Sequence, residues 1–318
     1  MNARDVLELR QRVRGGLRVV FDGLGFLEVD TPVLATEVLP EAHIDPVAVA
    51  VDGGARATHY LQASPELLMK RLLAAGSGPI WQFARSFRAG EVGRQHDVEF
   101  VLLEWYAPGA TLDDTAKLLD RLLEATLGTG GIERATCADA FLAHAGVDPL
   151  AAPLAELEAA AARAGVTMPE WVAALPEPAR WDRAFELVLA EVVQPRLGHG
   201  RPTMLEDWPA SQAAFARLDP DRPRVARRFE LFATGVELAN GWEEETGRAA
   251  LAARIDAANR ARLADGRAAL PVPARLLEAH GPTMPAGVGA ALGFERLVML
   301  AAGADSIDAV RCFTSRTA

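Results

Sequence analysis

Residues 87–106, FRAGEVGRQHDVEFVLLEWY, decide how the rest of the chain is read. Just before them, Trp81, Phe83 and Phe87 alternate with Gln82, Ala84, Ser86 and Arg88. Within them, Val101, Leu103 and Trp105 alternate with Phe100, Leu102, Glu104 and Tyr106. Strand side chains point to opposite faces with a period of two, so the pattern predicts two strands, each with a core face and a second, chemical face. Arg88, Glu104 and Tyr106 then share that second face. The connection, Ala89 to Asp97, contains glycine and charge and is too long for a tight turn, which predicts a mobile loop projecting from the hairpin.

The same periodicities extend outward in both directions. Val6, Leu9, Val13, Leu17, Val20 and Leu24 recur at three- and four-residue steps, predicting an amphipathic helix ended by Gly25 and followed by a strand, Phe26 to Thr31, that stops at Pro32. Val47, Val49 and Val51 predict a strand running into a turn at Asp52-Gly53-Gly54. Ser64-Pro65 is a helix start, with Ser64 as N-cap, Pro65 at the first position and Glu66 complementing the dipole. Leu112 to Leu127 and Leu251 to Leu263 predict further helices. Between about 132 and 197 the chain is alanine-rich, broken by Pro149, Pro153, Pro169, Pro176 and Pro178, and without strand alternation, so it reads as a helical insertion.

Strand character returns at Thr203 to Trp208 and in Arg228 to Trp242, a hairpin turning at Thr234-Gly235. With a two-residue loop Phe232 faces Glu237, and Glu230 lies diagonal to Glu237 on one face; a three-residue loop would separate the two acids. The chain closes on Ala286 to Leu300, a strand of small residues passing directly into an apolar helix. Its glycines lack dinucleotide-fold spacing, and no parallel βαβ unit surrounds them, which excludes a nicotinamide site. Small residues let a planar ligand lie against the strand, with Arg296 at the helix start in reach of a phosphate.

Composition narrows the function further. There are 33 Lys plus Arg against 43 Asp plus Glu, a net charge of -10, so nothing attracts nucleic acid by bulk electrostatics. Cys137 and Cys312 are far apart and without metal-ligand spacing, the usage of a reduced cytoplasmic protein. No signal core or spanning run is visible.

Taken together, the helix and strand ending at Pro32, the Arg88 hairpin, and Gly289 to Arg296 resemble the three motifs of the class II aminoacyl-tRNA synthetase catalytic core, in order and spacing from about Val6 to Leu300. Ser64-Pro65-Glu66, Glu99-Phe100, Leu103 to Tyr106, and Glu237 to Gly241 with Glu244 resemble its lysine-specific branch. The resemblance implies an α+β fold, an antiparallel sheet flanked by helices, in a single catalytic domain over 1–318 with the helical insertion. An anticodon-binding domain is not expected, because the first-motif helix begins almost at Met1, as in free-standing paralogues of the lysine branch.

What the resemblance implies for chemistry is ATP-dependent activation of lysine or (R)-β-lysine as an aminoacyl-adenylate, and transfer to a lysine ε-amine of elongation factor P by a homodimer. Arg88 is then expected on the α-phosphate and Arg296 on the γ-phosphate, with Glu230 and Glu237 holding Mg2+. Ser64, Glu66, Glu104, Tyr106, Asn240 and Glu244 are expected to line the amino-acid pocket, where a diamine needs carboxylates at both ends. Gly90, Glu91, Asp97, Glu237, Leu238 and Gly293 are expected around ATP. Gly90 stands where the family has an acid, with Glu91 one place later; Asp97 stands for an asparagine and adds negative charge there. Ala291 stands for the middle glycine of the third motif, and Glu295 for its aspartate. A local basic patch for the acceptor is sought among Arg85, Arg94, Arg222, Arg224, Arg227 and Arg228. Two other readings are an ammonia-dependent asparagine synthetase, which would need an extra basic group in the pocket, and a catalytically silent regulatory paralogue, which would usually lose the phosphate arginines.

Overall fold

The structure, a computed structural model, describes residues 2–51, 53 and 59–318. In chain order its elements are α1 (Ala3–Gly23), β1 (Leu27–Glu28), β2 (Leu34–Ala35), β3 (Val47–Val49), β4 (His59–Leu61), α2 (Glu66–Ala74), β5 (Ile80–Phe87), β6 (Glu99–Pro108) and α3 (Leu112–Leu127). Then follow β7 (Glu133–Thr136), α4 (Cys137–Ala145), α5 (Leu154–Arg163), α6 (Glu177–Val188), β8 (Thr203–Pro209), β9 (Val225–Ala233), β10 (Val236–Glu243), α7 (Arg248–Ala264), α8 (Ala274–Ala279), β11 (Gly287–Gly293) and α9 (Phe294–Ala302). Asp52 and Gly54 of the expected turn lie outside the described residues. By contact the chain divides into two compact units, Met1–Gly128 with Glu244–Ala318, and Thr129–Glu243.

In the first unit four strands run in the order β1-β5-β6-β11. All are antiparallel neighbours except β1, which pairs parallel with β5. The β5–β6 register sets Trp81 opposite Trp105 and Gln82 opposite Glu104, so the alternation of the sequence becomes two chemically distinct faces. On the apolar face Phe21 of α1 stacks on Trp81 at 4.7 Å between ring centres, and Phe83 meets Phe294 edge-on at 5.4 Å. Asn2 and Asp5 form a reciprocal capping box at the start of α1, and Val6, Leu9, Val13, Leu17 and Phe21 are buried. Val6 to Leu17 of the expected stripe are therefore consumed inside the unit together with Phe21, while Val20 is half-buried and Leu24 exposed. The strand expected over Phe26 to Thr31 shrinks to two residues, extended by one further bond from the Val29 amide to the Trp81 carbonyl.

The second unit holds strands in the order β10-β9-β8-β7, and α4, α5 and α6 close a separate core around stacked Phe141 and Phe185, 4.8 Å apart. The stretch 132–197 is thus helical except at β7, which pairs parallel with β8. Glu-Arg-Ala-Thr carries no apolar alternation because it is an edge strand with little to bury. The β9–β10 loop is the expected two-residue turn: Thr234 and Gly235 have φ of 50° and 75°, and Glu237 pairs with Phe232. A bulge after Glu237 then brings Asn240, rather than Ala239, opposite Glu230.

Candidate active site

The second face of β5, β6 and β11 carries the site of the first unit. Glu104 and Tyr106 point there from β6, and their partners on β11 are Ala291 and Gly289. Gly289 is required by packing, since a Cβ there would stand 2.3 Å from Glu244 Oε1 and 2.4 Å from the Tyr106 ring. Tyr106 Oη donates to Glu104 Oε1 at 2.7 Å. Burial first, and then the nearby carboxylates, hold the Glu104 carboxyl and the Tyr106 phenol well above their ordinary ranges.

Glu66 opens α2 and is buried. Ser64 Oγ accepts from the Glu66 amide at 3.4 Å, so the helix-start chemistry is present, with Pro65 rather than Ser64 as the flanking residue. The Glu66 carboxylate is not a solvated complement to the dipole: its Oε1 lies 2.6 Å from Lys70 Nζ, one turn on. Lys70 Nζ also lies 2.7 Å from Glu244 Oε2. Lys70 went unassigned in sequence, although its spacing from Glu66, flanked by Leu67, Met69 and Leu73, is the signature of an ion pair on a buried helix.

Arg88 follows β5, its amide bonded to the Val98 carbonyl at 3.0 Å, and its guanidinium carbon lies 5.0 Å from the centre of the Phe100 ring. Glu91 Oε2 is 3.7 Å from Arg88 Nη1, and Gly90 uses φ of 79° to turn between them. Three buried polar atoms on this face have no partner among the described residues: Ser86 Oγ, Arg88 Nε and Glu104 Oε2. Such atoms are costly unless a ligand satisfies them. Glu41, in the loop after β2, was missed entirely. Burial of its carboxyl raises it to about 7, with the charge of Arg88 pulling it down.

The loop expected to be mobile is anchored instead. Arg94 pairs with Asp305, the Ile307 amide donates to the Arg94 carbonyl at 2.9 Å, and His96 Nε2 lies 2.8 Å from Arg296 Nη2. Asp97 departs from expectation as well. Its carboxylate accepts from Arg311 Nη1 and from the Ser315 amide, each at 3.0 Å, and from the Ser315 hydroxyl. Its charge is spent on the C-terminal segment rather than added to a nucleotide site. Gly293 caps the start of α9 ahead of Arg296, leaving ordinary contact distance to the arginine side chain. Glu295 accepts from Arg10 and from the Val101 amide, a structural post rather than a ligand.

In the second unit, Glu230 and Glu237 keep to one face by register, Leu238 is buried at the bulge, and Arg228 donates both to Glu230 and to Asn240 Oδ1, the latter at 3.2 Å. Among the described residues no cluster of three or more His, Cys, Asp or Glu side chains is arranged for a metal. Most of the arginines considered for an acceptor patch are compensated: Arg85 by Glu99, Arg94 by Asp305, Arg222 by Asp207 and Asp219, Arg227 by Asp207 and Glu243, and Arg228 by Glu230. No helix among the described residues is long and apolar enough to cross a membrane.

Comparison with known proteins agrees with this geometry. The family model for class II tRNA synthetases (D, K and N) matches residues 1–317. The chain is 38% identical over 308 residues to an elongation factor P–(R)-beta-lysine ligase of Enterobacter sp. (strain 638), covering 96% of this chain and 93% of that protein. It is 39% identical over 311 residues to the ligase of the same name from Vibrio vulnificus (strain YJ016), covering 96% and 95%. The one from Sodalis glossinidius (strain morsitans) is 39% identical over 307 residues, covering 96% and 93%. A family match from end to end, on a chain whose hairpin and final helix place both motif arginines, means that this protein belongs to the class II tRNA synthetases of the D, K and N group.

Proposed function

We propose that this chain, an ATP-dependent ligase of the class II family, activates (R)-β-lysine or lysine as its adenylate and passes it to a lysine ε-amine of elongation factor P. The observation that carries the reading is Glu104: an enclosed carboxylate, one oxygen held by Tyr106 and the other without a partner, beside buried Glu66 and Glu244. A substrate ammonium supplies the missing donor, whereas a second carboxylate, as in aspartate, would add to the repulsion. Ser64 and Asn240 are proposed as further amino-acid contacts.

In the activation step the substrate carboxylate attacks the α-phosphorus of ATP, the new P–O bond forming as the bond to pyrophosphate breaks. Arg88 stabilises charge growing on the α-phosphate oxygens, and Arg296 with His96 receives the far phosphates. Gly90, Glu91, Leu238 and Gly293 are proposed to border the nucleotide. Glu230 and Glu237 offer hard oxygens on one face and are proposed to hold Mg2+, which would neutralise phosphate charge when bound. The acceptor amine then needs only close positioning against the activated carbonyl. Pairing of two copies through the first-motif region is proposed as well, with exposed Val19, Leu24 and Leu27 as the apolar surface left over by the core. A cytoplasmic location is proposed as well, from the sparse cysteine usage of the sequence, Cys137 and Cys312.

Pyrophosphate exchange with lysine, (R)-β-lysine and aspartate, each offered alone, tests the activation step. Exchange with the two diamino acids and none with aspartate is expected; the reverse pattern would overturn the reading. Labelled β-lysine with ATP and either elongation factor P or total tRNA then tests the acceptor, with label expected in the protein.

A further inference from the structure

Resting on that reading, we infer that Lys70 is a positioning residue of the amino-acid pocket: its ammonium clamps Glu66 and Glu244 together, offsets one of their charges and holds both carboxylates oriented for a diamine. The geometry is specific. Lys70 is 2% exposed, and Nζ sits 2.6 Å from Glu66 and 2.7 Å from Glu244, both within charge-assisted hydrogen-bond range. Met69 and Leu73 on the same helix pack on Ile80 and Tyr106, which fixes the helix against the pocket wall. Gly289 lets Glu244 and the Tyr106 ring approach the strand closely, so the carboxylates converge.

Without the lysine, Glu66, Glu104 and Glu244 would face one another in an enclosed space, and like charges there cannot all remain ionised. With it, Glu66 and Glu244 share one positive charge, and Glu104 keeps an oxygen for the substrate. The other titratable groups around Lys70 are consistent with a fixed cation. Burial and then Lys70 hold His280 down at about 4, a neutral ring at physiological pH. On α8, Arg275 and Glu278 are exposed. Burial alone would lower the Lys70 ammonium, but Glu244 and Glu66 more than offset it, so the residue serves as a cation and not as an amine nucleophile.

The test compares wild type, Lys70→Met, and Lys70→Met combined with Glu244→Gln. In Lys70→Met the two acids lose their cation and hold protons more tightly when folded than when unfolded, so stability falls as pH rises. The melting-temperature gap to wild type is expected to widen from pH 5 to pH 8, and to narrow again in the double variant, which restores the buried charge count. In pyrophosphate exchange the lysine KM of Lys70→Met is expected to rise at least ~10-fold, steeper at pH 6 than at pH 8, with kcat changed less. A gap that does not vary with pH, a KM within threefold of wild type, or a double variant that fails to fold overturns the inference. Absence of exchange by wild type would instead overturn the proposed function, while the melting data still judge the clamp.

Discussion

Arg10 of the first helix donates to Glu295 of the last at 2.9 Å, across 285 residues of sequence. The side chains are 19% and 5% exposed, and the other Glu295 oxygen accepts from the Val101 amide at 2.9 Å. Removing Glu295 leaves the half-buried Arg10 guanidinium with only the Val310 carbonyl, 3.2 Å away, and leaves the Val101 amide without its acceptor. Glu295→Ala is expected to cost about 3 kcal/mol or more in urea unfolding. A loss below about 1 kcal/mol would mean that the pair is a surface interaction.

Arg88→Ala should separate chemistry from folding. The arginine lies past the end of β5, partly exposed, with Phe100 as its main packing partner. Exchange activity is expected to fall on the order of 10²-fold, the usual loss for one preorganised charge donor, while the unfolding midpoint shifts little. Near-normal exchange by the folded variant would remove the α-phosphate role.

Gly289→Ala is expected to abolish exchange with lysine and to lower stability by about 1–3 kcal/mol. The new methyl would meet Glu244 at 2.3 Å and the Tyr106 ring at 2.4 Å, so the pocket must open to admit it. A variant with wild-type KM would show that Tyr106 and Glu244 can part freely.

Glu41 gives a pH signature. Its folded carboxyl is raised to about 7 by burial, against an ordinary ~4.3 when unfolded. A raised carboxyl takes up a proton on folding, so its contribution is most favourable below the unfolded value and is lost as pH climbs through about 7. Glu41→Gln lacks that dependence. Melting of the two proteins from pH 4 to pH 8 should show the glutamine variant gaining relative stability as pH rises; parallel curves would refute the assignment.

Much of this is legible in the sequence itself. The alternation around Arg88 gave the hairpin, its two faces and the shared position of Glu104 and Tyr106, because period-two burial is a local property of a strand. The Thr234-Gly235 turn was legible for the same reason, since a two-residue loop dictates its register. What was not legible depends on contacts distant in sequence. Asp97 reads as a loop acid until Arg311 and Ser315 are brought to it, and Lys70 reads as an ordinary helix lysine until Glu244 arrives from 174 residues away. The bulge after Glu237 has no local sequence signal of its own, yet it decides that Asn240 faces Glu230.

The anchoring of the 89–97 loop to residues 305–315 has a consequence for biosynthesis. During translation the hairpin leaves the ribosome long before its anchors do: Asp97 waits for Arg311, and Arg10 waits for Glu295. At roughly 5–20 residues per second, that second wait is roughly 15–60 s. A nascent chain holding only the first hairpin therefore has Glu66, Arg88, Glu104 and Tyr106 but neither Glu244 nor Arg296, and its loop still lacks the partners at 305–315. The acid that completes the Lys70 ion pair and the residues that hold the loop thus come from the same late part of the chain.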